Sequence, residues 1–158
     1  MDVPDGEIDR DTGHCCASGE LSAGYAPAAS VTWLWAAGIV TGEKDLYWAM
    51  HSQPVTAERP GTMPAELEAV LHQRLAGTPW TLAIAYAFDA AAEPARATLI
   101  GFVRPENGRG HMVCVVSGPD GVWLHDPNAE TRIAVTPAQI AAYHANIVVK
   151  LVTRKETA

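Results

Sequence analysis

The order of elements in the sequence predicts an α+β domain, with N-terminal helices packed on a mostly antiparallel sheet. Three observations carry this. Residues 25–75 hold apolar residues at helical spacing between Pro and Gly punctuation, and from Thr81 onward the apolar residues fall into short β-rich runs. The run GPDG at 118–121 is a tight turn between two of them. At 158 residues the chain is within the usual size of one domain and long enough to bury its own core.

Taken in order, YAPAASVTWLWAA from Tyr25 to Ala37 predicts a largely buried helix with Pro27 near its start and Gly38 as its stop. GEKDLYWAM then predicts a short second helix, where Glu43 and Asp45 suit the positive N-terminal end. Residues 52–62, with Pro54, Pro60 and Gly61, read as a loop. In GTMPAELEAVLHQRLAG, Thr62 is a candidate cap and Pro64 stands in the first turn. Leu67, Val70, Leu71 and Leu75 form one face, and Gly77 ends this third helix. Strands follow at TLAIAYAF, ATLIGFV, HMVCVVS, GVWLHD and NIVVKLV, and TPAQIAAY at 136–143 is a short helix capped by Thr136 with Pro137 at its first position.

Composition narrows the function classes. The chain is 48% hydrophobic and 18% charged, the profile of a globular domain. A net charge of −7 without a basic stripe argues against nucleic acid as a partner. Much of the excess lies in residues 1–20, where Asp2, Asp5, Glu7, Asp9, Asp11 and Glu20 read as an acidic, solvated surface arm ahead of a single domain at 21–158. The N-terminus carries acids where a secretory signal carries Lys or Arg, and no apolar run approaches the roughly 18 residues of a membrane span. A cytoplasmic protein is expected. Cys15, Cys16 and Cys114 match neither a metal-ligand spacing nor a disulfide framework, so neither metal nor cofactor is expected and at least one thiol should be free.

The strongest local signal is GHMVCVVSGPDGVWLHDP. His111 opens one strand and Asp126 closes the next, so the hairpin brings both to one end, and a histidine oriented by a carboxylate is the base half of a nucleophilic triad. Upstream, GHCCASGEL places His14, Cys15 and Cys16 before the first helix, and Cys16 is a candidate nucleophile if its loop folds back to His111. Gly24 and Pro27 stand against a continuous helix starting at Cys16. His51, His72, His125 and His144 have no partner spacing and read as surface residues, with His125 on the face opposite Asp126. Cys114 points away from His111 and reads as a small core residue. Trp33, Trp35 and Trp123 read as core packing.

GHMVCVV followed by HDP resembles the His strand and Asp-Pro corner of the double-glycine leader peptidases, papain-like cysteine peptidases that trim bacteriocin precursors, and of their stand-alone relatives. That family begins its first helix with a Cys-Gly-Pro-Ala-Ala pattern, which YAPAAS at 25–30 matches through Pro27, Ala28 and Ala29. The resemblance covers roughly residues 20–153. It implies a papain-like fold with His111 and Asp126 in the catalytic places, and with Tyr25, followed by Ala26, in the nucleophile position. The family's oxyanion-hole Gln falls at Gly19, beside Glu20. A Tyr phenol, with an unperturbed pKa near 10, is a poor substitute for a thiolate. Export ATPases of the haemolysin type carry a peptidase-like domain with this replacement, which binds the transported substrate without cutting it. The HCCASG segment also resembles the His-Cys-x-Ser-Gly start of some papain-like acyltransferases of antibiotic pathways.

The expected function is therefore a degenerate peptidase-like domain that binds a peptide or small acyl-bearing ligand in a groove between the first helix and the sheet. The Tyr25 hydroxyl is then placed to hydrogen-bond His111 or the ligand backbone. One alternative is an active acyl-transfer enzyme, using His111 and Asp126 either with Cys16 or as base on a bound substrate. A second is a docking surface for a protein partner or a second copy of the chain.

Overall fold

The computed structural model describes residues 6–18, 25–51, 62, 64–106 and 108–154. Three helices come first: α1 (Tyr25–Ala36), α2 (Glu43–Met50) and α3 (Pro64–Leu75). Strands β1 (Trp80–Ala85), β2 (Ala97–Val103), β3 (Gly110–Gly118), β4 (Gly121–His125) and β5 (Ile133–Ala134) follow, then helix α4 (Pro137–Ala141) and strand β6 (Ile147–Thr153). The six strands form one sheet in the order β1-β6-β2-β3-β4-β5, and every pairing is antiparallel.

Helix α1 is buried at every residue from Pro27 to Leu34, as expected of a helix apolar all round. It lies on β3 and β2, where Ala28 and Ala29 permit close approach. It ends in a Schellman motif: the Ile39 N–H reaches Leu34 O at 3.0 Å and the Gly38 N–H reaches Trp35 O at 2.9 Å, with Gly38 at φ 86°. Helix α3 buries Leu67, Val70, Leu71 and Leu75, the face its sequence marks out. The Thr62 hydroxyl, expected as its cap, is hydrogen-bonded to His51 Nε2 at 2.8 Å.

The sheet is covered on both faces. Met112, Cys114 and Val116 of β3 join α1, α2 and α3 in one apolar cluster, while Val113 and Val115 join Ile100, Phe102, Leu124 and Ile140 on the other side. The two-residue spacing of side chains on a strand thus assigns His111 to the second face, opposite Phe102 in the register. Capping of α4 by Thr136 is reciprocal, with Gln139 N–H donating to its hydroxyl and the Thr136 N–H donating to Gln139.

The described part of the N-terminal segment departs from a solvated arm. Residues 6–18 form a strap folded on itself through an Ile8–Cys15 bridge, with His14 and Cys15 buried. Its hold is the buried Glu43 carboxylate, which accepts Ser18 N–H at 2.7 Å and the Ser18 hydroxyl at 3.0 Å. On the other side Gly13, at φ 80°, lies flat on the Trp35 indole. Asp2, Asp5, Gly19, Glu20 and most of the 52–62 loop lie outside the described residues. Among the described residues, no helix is long and apolar enough to cross a membrane, and no group of His, Cys, Asp or Glu is arranged to hold a metal ion.

Candidate functional site

His111 is the second residue of β3, and Asp126 follows the last residue of β4. The β3–β4 register sets Cys114 opposite His125, so the Asp126 carboxylate comes level with the start of β3. His111 Nε2 lies 2.7 Å from Asp126 Oδ1, with the histidine side chain 1% exposed and the carboxylate 33% exposed. A carboxylate only accepts, so Nε2 carries the hydrogen and the neutral ring has Nδ1 bare. That Nδ1 is buried and has no hydrogen-bond partner among the described residues.

Burial by itself would raise the Asp126 carboxyl. The His111 hydrogen bond, the Asn128 N–H at 2.9 Å and the electrostatic pull of the His111 ring and the Arg104 guanidinium outweigh it and hold the group below the usual range. Asp126 is thus an anion that fixes one tautomer of His111.

Tyr25, the first residue of α1, packs its ring edge-on against His111, with centroids 4.4 Å apart and planes at 84°. Arg104 sits over the same phenol ring, its Cζ 5.4 Å from the Tyr25 centroid. The expected hydrogen bond from the Tyr25 hydroxyl to His111 is not made, since Nδ1 has no donor among the described residues; the contact is ring to ring.

The thiols do not reach this ring. Cys16 Sγ donates to Ala129 O at 3.1 Å, and Cys15 Sγ points to its neighbour's carbonyl at 3.7 Å. Burial first, then the charges of Glu43, Cys16 and Glu7, pushes the Cys15 thiol up, the opposite of an activated nucleophile. Cys114 is fully buried in the core, as its place on β3 predicts.

Two histidines differ from their surface assignment. His125 is 1% exposed, because its face of β4 meets the strap, and burial followed by the charges of His14 and Arg132 lowers it to about 3. His51 is buried against Tyr47, with ring centroids 4.3 Å apart. The cover of His125 comes from a segment distant along the chain, the strap at His14. His72 and His144 are exposed.

A cleft of about 640 Å³ opens beside His111 and Asp126. It is walled by Phe102 to Glu106 and by Ala142, Tyr143, His144 and Asn146, with Asn128 beside Asp126. No described residue of α1 lines it. Among the lining residues that the sequence did not single out are Arg104 and Asn146, which flank the ends of β2 and β6, and Tyr143, which follows α4.

In fold the chain is similar to the peptidase domain of Streptococcus ComA, a bifunctional ABC transporter involved in a quorum-sensing pathway, with a TM-score of 0.55 and 13% identity over 85% of this chain and 94% of that one. No protein-family model and no curated protein sequence matches the chain. The likeness is one of fold, and it agrees with the papain-like α+β architecture expected from the motifs.

Proposed function

We propose that this chain is a non-proteolytic domain of papain-like fold that binds a peptide or acyl-bearing segment in the cleft beside His111. One observation carries the reading: the His111 nitrogen that would take a proton from a thiol is buried, without a hydrogen-bond partner among the described residues, and the ring bears the aromatic edge of Tyr25. A nucleophile must be within hydrogen-bond reach of its base. Tyr25 stands in the nucleophile's place at the head of α1, and its phenol is a weak nucleophile near neutral pH. The cleft itself has the size and mixture of ligand sites, apolar from Phe102 and Tyr143 and polar from Arg104, Asn128 and Asn146. The peptide class of ligand rests on the likeness to a peptidase domain.

Nuclear magnetic resonance titration with short peptides and N-acyl peptides tests this. Shifts are expected at residues 102–106, 126–128 and 142–146, with the ligand recovered intact. Tyr143→Ala and Arg104→Ala should each weaken binding about tenfold. Cleaved product, or affinity unmoved in both variants, contradicts the reading.

A second reading has one observation in its favour. The 2.7 Å bond to Asp126 leaves Nδ1 of His111 as an acceptor nitrogen, the state a general base requires. Base catalysis on a bound substrate then needs Tyr25 to withdraw. A pH–rate profile governed by one group, abolished in His111→Ala, is the outcome that establishes it.

A further inference from the structure

The corner that follows β4, residues 125–129, is held from two sides. On one side Asp126 takes the His111 ring at 2.7 Å. On the other side the strap holds the Pro127 and Ala129 carbonyls and the His125 ring. Ala17 N–H donates to Pro127 O at 2.8 Å, His14 Nε2 lies 2.6 Å from Ala129 O, and Cys16 Sγ donates to the same carbonyl. His14 Nδ1 lies 3.1 Å from His125 Nδ1 in a buried, stacked pair.

The proton positions in this pair follow from its partners. A carbonyl only accepts, so His14 carries its hydrogen on Nε2 and, when neutral, has a bare Nδ1. That atom accepts from His125 Nδ1–H, which leaves His125 Nε2 bare, and it is buried without a partner among the described residues. The lowering of His125 by burial is consistent with a neutral ring in that place.

The strap is itself anchored to the helical layer. Glu43 N–H donates to Gly6 O at 3.1 Å, the Glu43 carboxylate accepts from Ser18, and Trp35 Nε1–H donates to Arg10 O at 3.0 Å. A chain of directed contacts therefore runs from α1 and α2 through the strap to the corner, and from the corner to His111.

We infer that His14 is a positioning residue for His111: by holding the Ala129 carbonyl and His125, it fixes the corner that presents Asp126 and so sets the tautomer of the His111 ring. This rests on the reading that the His111–Asp126 pair works in the cleft, and is independent of which ligand enters. Neither the acid-rich composition of the strap nor the position of His125 on its strand suggests such a role. It appears only where the two segments meet.

The test uses two variants of the full chain and no ligand. In His14→Gln a side-chain amide N–H stands about where Nε2–H stood, while His14→Asn offers a carbonyl oxygen about where Nδ1 stood and leaves Ala129 O without that donor. Long-range ¹H–¹⁵N spectra of histidine-labelled protein read the His111 ring nitrogens directly. Wild type and His14→Gln should show a single Nε2–H form. His14→Asn should show averaging between tautomers and loss of the slowly exchanging Nε2–H signal at temperatures well below its Tm. The same His111 signature in both variants, whatever their Tm, overturns the proposal, because a merely structural role would change stability alone.

If either variant does not fold, hydrogen exchange on the wild-type protein decides. Residues 9–17 and 126–131 should open with one rate, and a corner that keeps its protection while the strap opens overturns the proposal. A failed ligand titration with the His111 signature intact sinks the binding reading and leaves this one standing.

Discussion

At Tyr25 the phenol ring packs against both an imidazole, that of His111, and a guanidinium, that of Arg104. His111 keeps the carboxylate that orients it, but its other nitrogen is enclosed. Because the contact is made by the ring and not the hydroxyl, Tyr25→Phe should leave stability within about 0.5 kcal/mol. Tyr25→Ala should cost about 1 kcal/mol from the lost aromatic pair, read by urea denaturation. The His111–Asp126 pair was legible in the sequence, since a tight turn between two strands fixes which residues come level. The Tyr25 geometry was only half legible. Its position at the head of a helix followed from Pro27 and the apolar run, but whether hydroxyl or ring faces His111 depends on a rotamer set by Arg104 and β3.

Among the elements, α1, α3 and the strands from β1 to β4 could be read from spacing and punctuation, because each has one dominant period and a Gly or Pro near its end. Strand β5 could not, being two exposed residues that pair only with β4. The strap is the larger omission. Its acids suggest solvation, yet it is held by polar contacts to Glu43, Trp35 and residues 125–129, none of which has a sequence period. Gly13 is the point where this element is most sensitive. A Cβ there would overlap the Trp35 ring, and φ 80° is strained for any other L-residue. Gly13→Ala should destabilise the protein by about 3 kcal/mol in thermal or chemical denaturation.

For the whole molecule, the passage from helices to strands was enough to predict α+β, and the structure adds that the sheet is six-stranded and wholly antiparallel. The place of the cleft was not legible, because its walls come from segments about 40 residues apart that are brought together by the β2–β6 pairing and the Phe102–Tyr143 ring contact. Global stability should also depend on pH through His125. Its folded-state pKa, about 3, is below the ordinary histidine value of about 6.5, so the unfolded chain binds a proton that the native state refuses. Stability is then complete above about pH 6.5 and declines as pH falls toward 3, by about 2 kcal/mol at pH 5. Asp126, held below its usual value, contributes in the same direction, its share being lost only in more acid solution. Denaturation curves at pH 7.5 and pH 5 measure the slope, and His125→Gln should flatten it.

The claim that Tyr25 occupies the nucleophile's place is tested most directly by putting a thiol there. In Tyr25→Cys, with alkylation by iodoacetamide resolved peptide by peptide, the new cysteine should react at pH 6–7 well ahead of Cys16, and an added His111→Ala should abolish that advantage. A thiol at position 25 that reacts no faster than Cys16, or that is indifferent to His111, would contradict the account.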